Sequence, residues 1–169
     1  MIIQIRIDDR LIHGQVAMVW ARELNTTGIL VANDNAEQSD MVKMTLKMAC
    51  PSGIKLLIKS IEGAKKVIND PRAKAMRIFC LTRNVKDALE LVKACGNNIC
   101  EVNMANCGIH GGETGEKYIL PGNNIQLTRE ELDAAKELSE LLKEKFITQL
   151  VPNSPRVLVS DAIKQFLTE

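Results

Sequence analysis

Five short apolar runs, each followed by a stretch with helical spacing, constrain this chain more than any other feature. They are IIQIRI (2–7), GILVAND (28–34), IKLLIKS (54–60), MRIFCLT (76–82) and ICEVNMA (99–105). Runs of this length, rich in β-branched residues and bounded by polar turns, read as strands. Between them, Val16, Val19, Trp20 and Leu24 share one face of a helix over 14–24. Val42, Thr45, Leu46 and Ala49 mark a second helix, Ile61, Ala64 and Ile68 a third, and Ala88, Leu91, Val92 and Cys95 a fourth. Met41, Met44 and Met48 widen the second helix's apolar face and are expected to fill core space. A strand–helix–strand order repeated this often predicts an α/β fold. The expected form is an open, mostly parallel twisted sheet of about six to seven strands with helices on both faces.

The rhythm breaks after residue 105. Residues 106–127 are rich in Gly and Asn, with short β-like pieces around Tyr118 and Ile125. A helix is predicted over 129–144, with Thr128 as N-cap and Glu131 completing a capping box. FITQLV (146–151) reads as a last strand, and a helix around Ala162–Leu167 closes the chain. No linker, repeat or low-complexity segment interrupts the 169 residues, so one domain over 1–169 is expected.

Composition excludes several classes of function. Net charge is +1, too little to draw the chain to nucleic acid or an anionic membrane. The aromatic residues are one Trp, one Tyr and three Phe, which leaves little for base stacking. No apolar run approaches the roughly 20 residues a bilayer span requires. The first charge falls at Arg6, leaving no room for a signal segment, so cytoplasmic residence is expected. Cys50, Cys80, Cys95, Cys100 and Cys107 are odd in number and never form CxxC, which suits reduced core residues. With two histidines, neither spaced to a cysteine pair, no zinc site is predicted.

In open parallel sheets, ligands bind at the carboxyl ends of the strands. Three polar loops fall there: Asp8–Gln15, Asn106–Gly115 and Pro152–Pro155. The first lies in RIDDRLIHGQ (6–15), which packs two arginines, two aspartates and a histidine into ten residues. A neutral imidazole such as His13 is a competent nucleophile near pH 7. Gly14 and Gln15 open the predicted helix, whose free N–H groups attract an anion. Arg10, three residues before His13, can grip two phosphate oxygens with one guanidinium. Arg6 can do the same if it points along the strand end, and Asp8 or Asp9 can orient an arginine or fix the imidazole tautomer. Spacing alone also permits a capping or packing histidine beside surface ion pairs.

Other readings compete for the same residues. A signalling receiver would carry acyl phosphate on Asp8 or Asp9, with Thr82 after the fourth strand; it also needs a lysine after the fifth, and residues 103–108 supply none. A non-catalytic phosphate-binding regulator could use the same helix start. His110 is a rival acceptor, although no arginine precedes it nearby. GGETGEK (111–117) lacks the order of a nucleotide-binding P-loop.

RIDDRLIHGQV strongly resembles the active-site segment of the enzyme IIB components of the phosphoenolpyruvate-dependent sugar phosphotransferase system, mannose/fructose/sorbose family. The resemblance extends to LVANDNA after the second strand, VNMANCG after the fifth and VPNSP near the end. It implies a phosphocarrier that takes a phosphoryl group from a phosphohistidine of a IIA partner. The group then passes to a sugar at the membrane components IIC and IID. His13 would be the acceptor, through Nδ1, and Arg10 the phosphate-stabilising arginine. Asp8 and Asp9 match further motif positions, and Arg6, Gly14, Gln15, Asn106 and Gly108 are expected phosphate contacts. No cofactor is implied, and the protein would sit in the cytoplasm, peripherally against its membrane partners. The chain departs from the family in its second loop. Asn106-Cys107-Gly108-Ile109 stands where relatives usually show Asn-x-Gly-Gly-Met, and Gln149-Leu150 precede Val151 where many have a basic residue.

Overall fold

The computed structural model describes residues 1–96, 98–110, 114–122 and 124–167. In chain order they form β1 (Ile2–Asp8), α1 (Gly14–Glu23), β2 (Gly28–Ala32), α2 (Asp34–Gln38), α3 (Asp40–Ala49), β3 (Lys55–Lys59), α4 (Ile61–Asn69) and β4 (Ile78–Thr82). Then follow α5 (Val85–Cys95), β5 (Val102–Asn106), β6 (Tyr118–Ile119), β7 (Gln126–Leu127), α6 (Arg129–Leu142), β8 (Phe146–Thr148), β9 (Val157–Leu158) and α7 (Val159–Ala162). The main sheet has seven strands in the order β3-β2-β4-β1-β5-β8-β9. Every pairing in it is parallel except β8 with β9. β6 and β7 make a separate antiparallel pair.

Helices cover both faces, and strand alternation sorts the core into two layers. Ile29, Val31, Phe79 and Leu81 pack against α1, α2 and α3 through Ala17, Trp20, Ala36 and Leu46. Leu30, Ala32, Ile78 and Cys80 face α4, α5 and α6, where Ala64, Ala88, Leu91, Leu132 and Leu138 are buried. β1 sits at the centre of the sheet between β4 and β5. Its apolar side, Ile5 and Ile7, joins the second layer. Its other side carries Gln4, Arg6 and Asp8, all buried. The central strand is therefore polar on the side where α1 lies.

Capping follows the local sequence. Asn33, Ser39, Ser60 and Asn84 accept from the first turns of α2, α3, α4 and α5. Thr128 and Glu131 form the expected capping box on α6. α1 differs: His13 occupies its N-cap position and makes no side-chain cap bond. Its first amides stay available, as the orphan donors of a helix start do.

Several expectations are corrected. Met41, Met44 and Met48 are 80%, 65% and 82% exposed instead of filling the core. α3 carries two apolar stripes, and it buries the one built on Leu46, flanked by Val42 and Ala49. Val19 is likewise exposed, because α1 turns Ala17, Trp20 and Ala21 inward. β5 begins at Val102; Ile99 contributes only an isolated bridge to Ile2. The last helix starts earlier than predicted, at Val159, directly after the short antiparallel edge strand β9. Residues 111–113 of the glycine-rich stretch lie outside the described residues.

Candidate active site

The site grows from the end of β1. Its pairing with β5 shifts register between Ile7 and Asp8, where Asp8 comes to face Asn106. Such an irregularity re-aims the residues that follow. The chain turns at once, with Leu11 N donating to Asp8 O at 2.9 Å and Leu11 in the left-handed region at φ +56°. Burial of Leu11 and Ile12 beneath α1 holds that turn. His13 and α1 follow immediately.

Asp8 is the hub. Its carboxylate accepts from Arg6 Nη2 at 3.3 Å, Arg10 Nε at 3.2 Å and the Arg10 backbone N–H at 3.2 Å. Oδ2 lies 3.9 Å from Nδ1 of His13. Arg6 is buried, 5.5 Å over the Trp20 ring, and Nη2 also donates to Leu150 O at 3.1 Å. Burial lowers the Arg6 pKa to about 10, although the Asp8 charge opposes that shift. Trp20 Nε1 donates to the same Leu150 carbonyl at 3.0 Å. Arg6 thus braces Asp8 from inside the protein. Arg10, with a side chain 34% exposed, is the arginine open to solvent.

His13 has a ring about a quarter exposed, but both ring nitrogens are buried and without a hydrogen-bond partner. Burial lowers its pKa, with Arg10 and Arg6 acting in the same direction and Asp8 and the Leu11 backbone opposing. The imidazole is therefore neutral, and so nucleophilic, at neutral pH. Gly14 and Gln15 lie exposed at the start of α1. Gly14 takes φ +43°, and a Cβ there would meet nothing within 4 Å, so backbone conformation, not crowding, calls for glycine.

The second loop meets the first through Asp9. This enclosed carboxylate accepts from Asn106 Nδ2 at 2.7 Å, Ile109 N at 2.9 Å, His110 N at 2.7 Å and His110 Nδ1 at 3.1 Å. Burial alone would raise the Asp9 pKa, but the His110 and Ile109 bonds outweigh it and the net shift is downward. Asn106 is engaged with Asp9. Gly108 has φ +75°, and a Cβ there would lie 1.8 Å from the Gln126 carbonyl oxygen. In this arrangement both residues shape the second loop. The Asp9 anchor escaped sequence reasoning. Its one signal was the doubled aspartate, which marks two carboxylates at a strand end but not their division of labour. Gln149, where relatives often carry a basic residue, donates from Nε2 to Pro152 O and Ser154 O, both at 2.9 Å, and folds the last polar loop.

Among the described residues, no group of three or more metal-ligating side chains occurs. No described helix is long and apolar enough to cross a membrane. Cys80, Cys95 and Cys107 are buried, Cys100 is exposed, and burial raises the Cys95 thiol to about 12.

A central parallel strand that ends in an arginine–carboxylate–imidazole cluster, against an uncapped helix, defines a phosphoryl-handling α/β protein. Residues 2–167 match the family described as the PTS system sorbose subfamily IIB component, and the chain belongs to that family. It is 43% identical over 163 residues to a probable phosphotransferase enzyme IIB component of Streptococcus pyogenes serotype M6, covering 96% of this chain and 99% of the relative. It is 31% identical over 160 residues to the sorbose-specific EIIB component of Klebsiella pneumoniae, covering 95% and 93%. The crystal structure of the IIBSor domain of the Klebsiella pneumoniae sorbose permease superposes with a TM-score of 0.85 at 29% identity, covering 98% of this chain and 97% of that one. The protein is thus a phosphocarrier of the phosphotransferase system, a phosphotransferase of the sorbose/mannose class. The receiver alternative is overturned. The family assignment gives it no support, Asp8 is closed off by two arginines, and Asp9 is closed off by the second loop.

Proposed function

We propose that His13 accepts the phosphoryl group on Nδ1 from a phosphohistidine of a IIA partner and delivers it to a sugar presented by membrane components IIC and IID. The observation that carries this reading is the position of the imidazole: at the N-cap of the uncapped helix α1, beside Asp8 and solvent-accessible Arg10. A IIA partner is supported by the Escherichia coli K12 mannose-specific EIIAB component, 29% identical over 160 residues, of which this chain matches 47%.

Phosphoryl transfer needs in-line positioning and charge stabilisation more than covalent chemistry. Arg10 supplies a forked donor, and Asp8 holds it through Nε and Nη2 while leaving Nη1 and the outer N–H of Nη2 for the incoming oxygens. The first amides of α1 add donors that need no rearrangement. The Asp8 carboxylate tempers the field of Arg10 and of buried Arg6, so the cluster grips a dianion without trapping it. Because both ring nitrogens are covered, loading requires the ring or its cover to shift as the donor docks. The encounter surface takes in Arg10, Gln15 and the second loop, and exchange between IIA and the membrane components suits a small, transient interface. The protein works in the cytoplasm, against the inner face of its membrane partners.

The test is incubation with phosphoenolpyruvate, the general phosphotransferase proteins and the cognate IIA, then mapping of the label. Acid-labile, base-stable phosphate on His13, absent from His13→Gln, is the expected result. Label on His110, or label destroyed by base and hydroxylamine, would overturn the assignment.

A further inference from the structure

The chain's two histidines stand on neighbouring carboxylates of one turn. His13 Nδ1 is 3.9 Å from Asp8, and His110 Nδ1 is 3.1 Å from Asp9. With His13 as the carrier, the second pair is left without a task in loading. We propose that Asp9 and His110 form a carboxylate–imidazole dyad whose free nitrogen takes the sugar's hydroxyl proton as the phosphoryl group leaves His13. The inference rests on His13 as the carrier.

The geometry fixes the tautomer. Asp9 accepts from Asn106 Nδ2 and from the Ile109 and His110 amides, and its pKa is held down despite burial, so it is ionised and can only accept. His110 Nδ1 must then carry the hydrogen, which leaves the Nε2 lone pair basic. No described residue bonds Nε2, and the His110 side chain is 51% exposed. The loop that carries it is held on its other side as well. Cys107 N donates to Asn124 O at 3.0 Å, Gln126 N donates to Cys107 O at 2.8 Å, and Lys117 Nζ donates to Gly108 O at 3.1 Å. Among the described residues, the charged groups against this loop are Asp9, Lys117 and Glu131, whose Oε1 lies 3.8 Å from Cys107 Sγ. A base on a loop clamped this way is presented at a fixed place beside the Asp8–Leu11 turn.

Chemistry says which step needs it. Transfer between two imidazoles breaks one N–P bond and forms another, and no hydroxyl is involved. In the second step the sugar oxygen forms an O–P bond as the His13 N–P bond breaks. The hydroxyl proton passes to His110 Nε2. His13, protonated on its other ring nitrogen, leaves as neutral imidazole. His110 is then the catalytic base and Asp9 its positioning residue.

The experiment separates the two steps. The full-length protein is loaded by phosphorylated IIA, then mixed with membrane vesicles bearing IIC and IID and the sugar, among sorbose, mannose and fructose, that discharges the wild type fastest. His110→Ala should discharge about 100-fold more slowly, in the range of general-base effects, a loss well beyond any in loading. Added free imidazole should restore a substantial part of the discharge, which a merely structural role would not allow. A thermal midpoint close to wild type checks the fold. Unchanged discharge, equal losses in both steps or no rescue by imidazole would overturn the dyad. A wild-type protein that never loads on His13 would instead sink the carrier reading on which it rests.

Discussion

His13 Nδ1 stops 3.9 Å from Asp8 Oδ2, just beyond bonding reach, while the same carboxylate accepts from Arg6 and Arg10. The proposed nucleophile is therefore set beside a carboxylate already paired with two cations, and its own nitrogen stays uncommitted. The consequences are measurable.

Asp8→Ala should destabilise the protein strongly. It would leave the buried Arg6 guanidinium without its counter-charge, and breaking a buried pair this way costs about 3–5 kcal/mol. Urea unfolding measures the loss. The double variant Asp8→Asn with Arg6→Met should recover much of it, because no isolated charge remains inside. A single Asp8→Ala as stable as wild type would show that Arg6 finds sufficient partners in the 149–150 carbonyls.

Arg10→Ala should act on rate and leave the fold nearly intact. The side chain is partly exposed and its ion pair is partly wet, so a stability change of about 1 kcal/mol or less is expected. Loading by phosphorylated IIA should fall about 10- to 100-fold in rapid-quench assays, and Arg10→Lys should recover only part, lacking the fork. Wild-type loading by Arg10→Ala would remove Arg10 from the mechanism.

Acid should cost His13 both stability and, later, activity. Its folded pKa lies below the ordinary value of 6.5 through burial first. The unfolded chain therefore binds the proton more readily, and stability falls as pH drops below about 6.5. His13→Gln should flatten that part of the stability–pH curve between pH 7.5 and 5.5. Loading should hold its rate further into acid than free imidazole chemistry does, then fail as the ring protonates. A curve for the variant that overlies wild type would contradict the shift.

Gly108→Ala and Gly14→Ala should differ although both glycines have positive φ. At Gly108 a Cβ collides with the Gln126 carbonyl, so the loop must leave Asp9 or its β7 neighbour. At Gly14 the only cost is conformational, about 1–2 kcal/mol. Thermal melts and amide exchange at Ile109 and His110 distinguish them: loss of protection is expected in the Gly108 variant alone.

Much of this protein was legible before any coordinates. Apolar runs of strand length, helical spacing between them and the Asn, Ser and Thr caps are local signals. They determined the element order, the open parallel sheet and the capping box at Thr128. The decapeptide at the end of β1 made His13 and Arg10 candidates for phosphoryl chemistry, while its spacing left a capping histidine open and its resemblance to the family's active-site segment supplied their roles. What spacing could not decide was direction. Met41, Met44 and Met48 keep helical period as faithfully as a core stripe does, yet they face solvent, because period locates a stripe without saying which stripe the sheet covers. Nor could it divide two adjacent aspartates between Arg10 and a loop about 100 residues away. Only the strand order, which lays β5 beside β1 and β8 beside β5, brings His110 to Asp9 and the Leu150 carbonyl to Arg6. Those contacts depend on sequence-distant segments meeting, and that is a property of the packed sheet.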